Sequence, residues 1–182
     1  WLEDRGMYAS WEYPEYMGSP VADKVDVIAN GYALMYDIAS EEQKQQIMEN
    51  YPLVVYGADT VWPQKNGRRA SNIYHNRGVW PGWEATLMLG AKENGHNQLA
   101  EEIFKSCVRG AGMILTNKEV INFETGEGVH SDRQLWSIAG TLAGYYRVLF
   151  GMEYSVDGIS FHPYVPEWME GPFSLTNYTY RD

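Results

Sequence analysis

The side chains able to do chemistry in this chain are carboxylates set among aromatic rings. Glu119 and Glu124 fall in residues 116–130, "TNKEVINFETGEGVH". Glu84 stands next to last in the stretch "YHNRGVWPGWEA", residues 74–85, with Tyr74, His75, Asn76, Arg77, Trp80 and Trp83. Glu3, Asp4, Glu12 and Glu15 are interleaved with Trp1, Tyr8, Trp11, Tyr13 and Tyr16. Two carboxyls on opposite sides of a sugar cleave a glycosidic bond, one as acid and the other as base or nucleophile. Indole and phenol rings stack on flat apolar faces and keep a polar tip, which suits sugars. For each of these carboxylates taken alone, a solvated surface acid is the simpler account.

Other chemistries find little support. His75, His96, His130 and His162 are dispersed, with no HxxEH or CxxC spacing, so no metal is expected. No GxSxG elbow occurs, and "GEG" at 126–128 lacks the lysine of a phosphate loop. The single cysteine, Cys107, excludes a disulfide within the chain and reads as a small buried hydrophobe. A net charge of -10 leaves no basic patch for nucleic acid or an anionic membrane, and "NGRR" at 66–69 is too short to serve. No apolar run reaches the roughly 18 residues of a membrane span. No cofactor is expected. The compartment is close to illegible, with the periplasm or cell exterior marginally favoured.

The elements that must position these groups read as helical hairpins. "GSPVADKVDVIANGYALMYDIA" places Val21, Val25, Ile28, Tyr32 and Met35 at helical spacing, with Ser19 as cap and Pro20 at the start. "SEEQKQQIMENY" restarts after Ser40, an N-cap followed by acids. "WPGWEATLMLGAKENG" and "HNQLAEEIFKSCVRGAGMIL" form a second pair. "SDRQLWSIAGTLAGYYRVLFG" begins a third, capped by Ser131, with Leu135, Ile138, Ala139, Leu142, Tyr146 and Leu149 on one face. Leu34, Met88 and Leu142 recur at a constant interval, as in a stacked array of hairpins. Two long connections, 52–78 and 116–130, precede like helices and are expected to open on one end of the array. After Gly151, alternation and prolines at 163, 166 and 172 indicate short strands.

Two segments carry a resemblance to the (α/α)6-barrel glycosidases, nearest to glycoside hydrolase family 63. "IYHNRGVWPGWEATLMLGAKENG" is similar to a Tyr-Trp-Arg-Gly-Pro-x-Trp segment before a barrel helix, through Tyr74, Arg77, Gly78 and Trp80. It departs from that pattern in having His75-Asn76 for one Trp and no proline between Gly78 and Trp80. "EVINFETGEGVHSDRQLWSIAG" resembles the next element, through Glu119, Thr125-Gly126 and Leu135-Trp136-Ser137. The tail "DGISFHPYVPEWMEGPFSLTNYTYR" looks like the β-segment after the barrel in bacterial relatives.

The resemblance implies a mainly α fold: residues 1–151 as the C-terminal half of an (α/α)6 toroid and 152–182 as the start of a β-rich segment. It implies an inverting glycoside hydrolase acting on an oligosaccharide, with Glu119 as general base. The general acid would lie upstream of Trp1, in the N-terminal part of the same polypeptide. Tyr74, His75, Asn76, Arg77, Trp62, Trp80 and Trp136 would then contact sugar, and Glu84 would support. Arg77 has the rigid fork to orient the base or a hydroxyl. Trp136 serves equally well as core. A non-catalytic carbohydrate-binding module, a sugar phosphorylase and a lyase on a related toroid stay open as alternatives.

Overall fold

The computed structural model describes residues 1–18, 21–64 and 73–180. The expected cap Ser19, Pro20 and the "NGRR" run lie outside the described residues. Among these residues the helices are α1 (Val27–Met35), α2 (Glu41–Asn50), α3 (Pro81–Glu93), α4 (Asn97–Ile114) and α5 (Leu135–Ala143). A wider π-helical run, Gly144–Leu149, continues α5. The strands are short: β1 (Val25–Asp26), β2 (Leu53–Val54), β3 (Gly57–Ala58), β4 (Val61–Trp62), β5 (Gly78–Val79), β6 (Val120–Asn122), β7 (Gly128–Val129), β8 (Met152–Tyr154) and β9 (Ile159–Phe161). β1 pairs with β4, β2 with β3 and β8 with β9, all antiparallel, and β5, β6 and β7 form one sheet in that order. The architecture is the expected one: helical hairpins of a toroid type, then strands.

Local chemistry explains the boundaries that match. Ser40 and Gln43 complete a capping box at the start of α2. Pro81 sits at the first helical position of α3, where a missing N–H costs nothing. α3 packs on α1, α4 and α5. The core they enclose holds Leu34, Ile47, Leu87, Met88, Ile103 and Phe104, all essentially without exposure.

Two helix starts differ from the sequence reading. α1 begins at Val27 rather than Pro20, because Asp26 caps it by accepting the Ala29 N–H at 2.7 Å. Val25 instead pairs with Trp62, and Val21 bridges Glu12. α5 begins at Leu135 without a side-chain cap, so Ser131 does not cap it. Nor does α5 bury its large apolar face. Leu135 is 74% exposed and Leu142 46%, while Ser137, Gly140 and Thr141 are buried. The cause is close packing: a side chain at Gly140 would strike the Pro81 carbonyl, so small residues must face α3.

Gly31 plays the same part between α1 and α3. A Cβ there would run into Thr86 and the Leu87 backbone nitrogen, so any larger residue must push the two helices apart. Gly31→Leu is expected to cost about 1–3 kcal/mol and lower Tm by several degrees in a thermal melt. An unchanged melting point would mean the two helices are not held at that distance.

Candidate active site

The N-terminal ends of α1, α3 and α5 adjoin. The Thr86 hydroxyl on α3 approaches the Val27 carbonyl of α1 at 3.5 Å, and Gly82 on α3 lies against the backbone of Trp136 on α5. The two long connections meet at this end through the sheet of β5, β6 and β7, where Gly78 faces Asn122 and Val79 faces Ile121. Thr60 ties the first of them to α1 and to β5: Val27 N–H donates to its carbonyl, and its N–H donates to the Gly78 carbonyl. The expectation that both connections open on one end is met.

Glu119 stands just before β6, at the rim of this end. Its backbone N–H donates to the Ser131 carbonyl at 3.0 Å, and Ser131 N–H donates to its Oε2 at 3.3 Å. The Ser131 hydroxyl above all, then the Ser131 N–H, with smaller effects of His130 and Tyr74, outweigh desolvation and hold the carboxyl below the usual glutamate range. These contacts and an open face keep it ionised, the state a base needs.

Tyr74 belongs to an aromatic cluster near Glu119. Its ring stacks on His75 at 4.5 Å and meets Trp80 and His130 edge-on at 4.9 and 5.1 Å. Trp80 is only 7% exposed, donates its Nε1–H to the Tyr74 carbonyl and stacks on Trp83 at 4.4 Å. It backs the cluster instead of presenting a broad face to a ligand. Beyond His75 and Trp83 opens a cavity of about 430 Å³, lined by Ser10, Trp11, Asp26, His75 and Trp83 over an apolar wall of Ile28 and Val61.

The remaining expected residues separate. Arg77 ion-pairs with Glu124 and lies over the Phe123 ring, so its fork is engaged away from Glu119. The Asn76 carbonyl accepts the Tyr74 N–H at 3.2 Å and shapes the turn. Trp62 is held in β4 with the Arg5 guanidinium over its ring at 5.1 Å. Trp136 is 65% exposed on the outer flank of α5 and lines a separate apolar groove of about 520 Å³ with Leu135, Ala139 and residues of α3. Glu3, Asp4, Glu12 and Glu15 are exposed, as surface acids are. Among the described residues no three His, Cys, Asp or Glu side chains group as a metal site. Among the same residues no helix is long and apolar enough to cross a membrane.

Glu84, expected to support the site, is fully buried. The Ala58 N–H donates to its Oε2 at 2.8 Å, and the Cys107 sulfur lies 3.2 Å from Oε1. Burial outweighs both contacts and pushes its carboxyl up to about 8. Cys107 is buried and its thiol is raised by the same desolvation.

The sequence reading missed Ser10, Trp11 and Asp26 as members of one cavity. Asp26 was hidden because it looks like one more polar residue within an amphipathic helix. The signal that could have found it is its place directly before "VIAN", where an aspartate is a natural helix cap.

No family model matches the chain, and no curated protein matches it. Solved structures do. A glycoside hydrolase family 63 mannosylglycerate hydrolase from Thermus thermophilus, in complex with Tris, superposes with a TM-score of 0.63 at 19% identity, over 80% of this chain and 34% of that one. An uncharacterized conserved protein from the same organism superposes with a TM-score of 0.60 at 18% identity, over 80% of this chain and 35% of that one. The chain therefore shares a family-63-like fold and spans about a third of the length of these structures.

Proposed function

We propose that this chain is the C-terminal part of an inverting glycoside hydrolase that cleaves an oligosaccharide. The observation that carries the proposal is Glu119: an ionised carboxylate at the rim of the helical array, near the aromatic cluster of Tyr74 and an adjoining cavity. The likeness in fold to a family 63 hydrolase supports it.

In this reading Glu119 takes a proton from a water as the water oxygen attacks the anomeric carbon. The glycosidic C–O bond breaks, and a second carboxyl protonates the departing oxygen. We assign that acid to the N-terminal part of the same polypeptide, which also supplies the remaining helices of the toroid. The exposed apolar flank of α5, with Leu135, Trp136 and Leu142, suits packing against them. We take the β8–β9 hairpin as the start of a β-rich segment, although among the described residues no further strand follows Phe161.

The test is stereochemical. Proton NMR of a reaction run in the intact polypeptide is expected to show the product first in the anomeric configuration opposite to that of the substrate. Retention of configuration, or no cleavage of any oligosaccharide, defeats the proposal. Retention would mean a nucleophilic carboxylate, which requires the two carboxyls to stand about 5–5.5 Å apart.

A further inference from the structure

We propose that the cavity formed by Trp11, Asp26, His75 and Trp83 is a subsite for a neutral sugar ring, adjoining the position of bond cleavage. The inference rests on the hydrolase reading and names the chemistry one part of its cleft accepts.

Three features of the cavity carry it. Its volume of about 430 Å³ has room for a single pyranose with some water. Its walls are two indoles with Ile28 and Val61, which match the C–H faces of a sugar better than a charged or strongly hydrated ligand. Its polar groups are few and directional: the Asp26 carboxylate, the His75 imidazole and the Ser10 hydroxyl. Such a balance, an apolar wall with a few placed polar groups, is what small-ligand sites show.

The charge of the ligand follows from the same residues. No lysine or arginine is among the described residues that line the cavity, so a uronate or a phosphorylated sugar would face Asp26 with no compensating cation. His75 does not supply one, because desolvation lowers its pKa and keeps the ring neutral. A cationic ligand is disfavoured for a different reason. Burial raises the Asp26 carboxyl above the usual aspartate range, and the Ala29 N–H at 2.7 Å at the start of α1 offsets part of the charge it carries. A carboxylate has about four acceptor positions, so Asp26 retains capacity for a sugar hydroxyl while exerting a reduced pull on an ammonium group. The path from cavity to base is short: His75 stacks on Tyr74, Tyr74 meets His130 edge-on, and His130 precedes Ser131, whose N–H donates to Glu119.

The experiment uses the intact polypeptide carrying Glu119→Gln, so that probes are bound and not consumed. Tryptophan fluorescence is followed while maltotriose, cellotriose, mannotriose, trigalacturonate or choline is added. Saturable quenching by at least one neutral trisaccharide is expected, with trigalacturonate and choline weaker by about tenfold or more. Adding Trp11→Ala is expected to weaken the best neutral probe by about tenfold, the loss of one good aromatic contact. Asp26→Asn retains an N-cap and hence the helix, and is expected to weaken the same probe while relaxing the discrimination against trigalacturonate. No neutral trisaccharide binding, preferential binding of trigalacturonate or choline, or affinities unmoved by both substitutions each overturn the subsite. Continued hydrolysis by the Glu119→Gln protein strikes instead at the catalytic reading, so the two failures are told apart.

Discussion

Replacing Glu119 with glutamine is expected to reduce hydrolysis by about a thousandfold or more, within the range that general base catalysis contributes. The amide has the shape of the carboxylate but cannot take a proton from water at any working pH. Folding is expected to survive, because Glu119 is partly exposed and its side-chain contacts are few. A hydrogen bond of this kind contributes about 1 kcal/mol, so the melting point should move by no more than a few degrees. The pH profile gives an independent check. Because its donors lower the Glu119 pKa, the acid limb that it sets in kcat/KM should lie below the ordinary glutamate value of 4.5. Ser131→Ala removes the largest of those effects, the hydroxyl, and should move that limb upward without abolishing turnover. Full activity in Glu119→Gln, or an acid limb indifferent to Ser131, removes Glu119 from the role of base.

The helices were largely legible because their determinants are local. Ser40 and Gln43 form a capping box within one helical turn, and Pro81 marks the start of α3 by its own geometry. The constant interval through Leu34, Met88 and Leu142 picked out α1, α3 and α5, the three helices that stand side by side. The interval did not reveal which face of each is covered. Leu34 and Met88 are buried while Leu142 is 46% exposed, since α5 turns its small residues toward α3. That choice depends on how closely two helices approach, a property of the pair. The start of α1 was misjudged for a related reason. Val21 and Val25 fit a helical stripe in sequence, but extended partners claim both, Glu12 for Val21 and the distant Trp62 for Val25.

The site was legible where it is contiguous. Tyr74, His75 and Trp80 do converge, and Glu119 lies near them because β5 and β6 pair. Arg77 shows the limit of that argument. It lies one residue from the strand that anchors the cluster, yet Glu124 and Phe123 across the sheet capture its guanidinium. The cavity wall drew on three distant segments, around Trp11, Asp26 and His75, brought together by single bridges such as Ala9 with Val25. No spacing rule connects such positions, so their assembly appears only once the chain is folded.

Glu84 is expected to make the stability of this protein fall as pH rises. Burial raises its folded-state pKa from 4.5 to about 8, so between those values the folded protein keeps a proton that the unfolded chain has released. Stability contributed by the neutral acid is complete below about pH 4.5 and is lost progressively as pH climbs through the folded pKa. The slope is negative because the native state binds more protons than the unfolded state. Its upper limit is about 1.4 kcal/mol per pH unit. Asp59, raised to about 6 by the same desolvation, adds to the fall at its lower end, from 3.8 upward. Glu84→Gln removes one titration and keeps an oxygen to accept the Ala58 N–H, so β3 stays fastened to α3. The variant should show a flatter dependence of Tm on pH and should exceed the parent most clearly above about pH 8. Urea melts at about pH 5, 7 and 8.5 provide the comparison, read as midpoints at constant slope. Parallel pH dependences in parent and variant would show that Glu84 is already ionised in the folded core. The Ala58 N–H and the Cys107 thiol would then be stabilising a charge, and Glu84→Gln would cost stability at every pH above about 5.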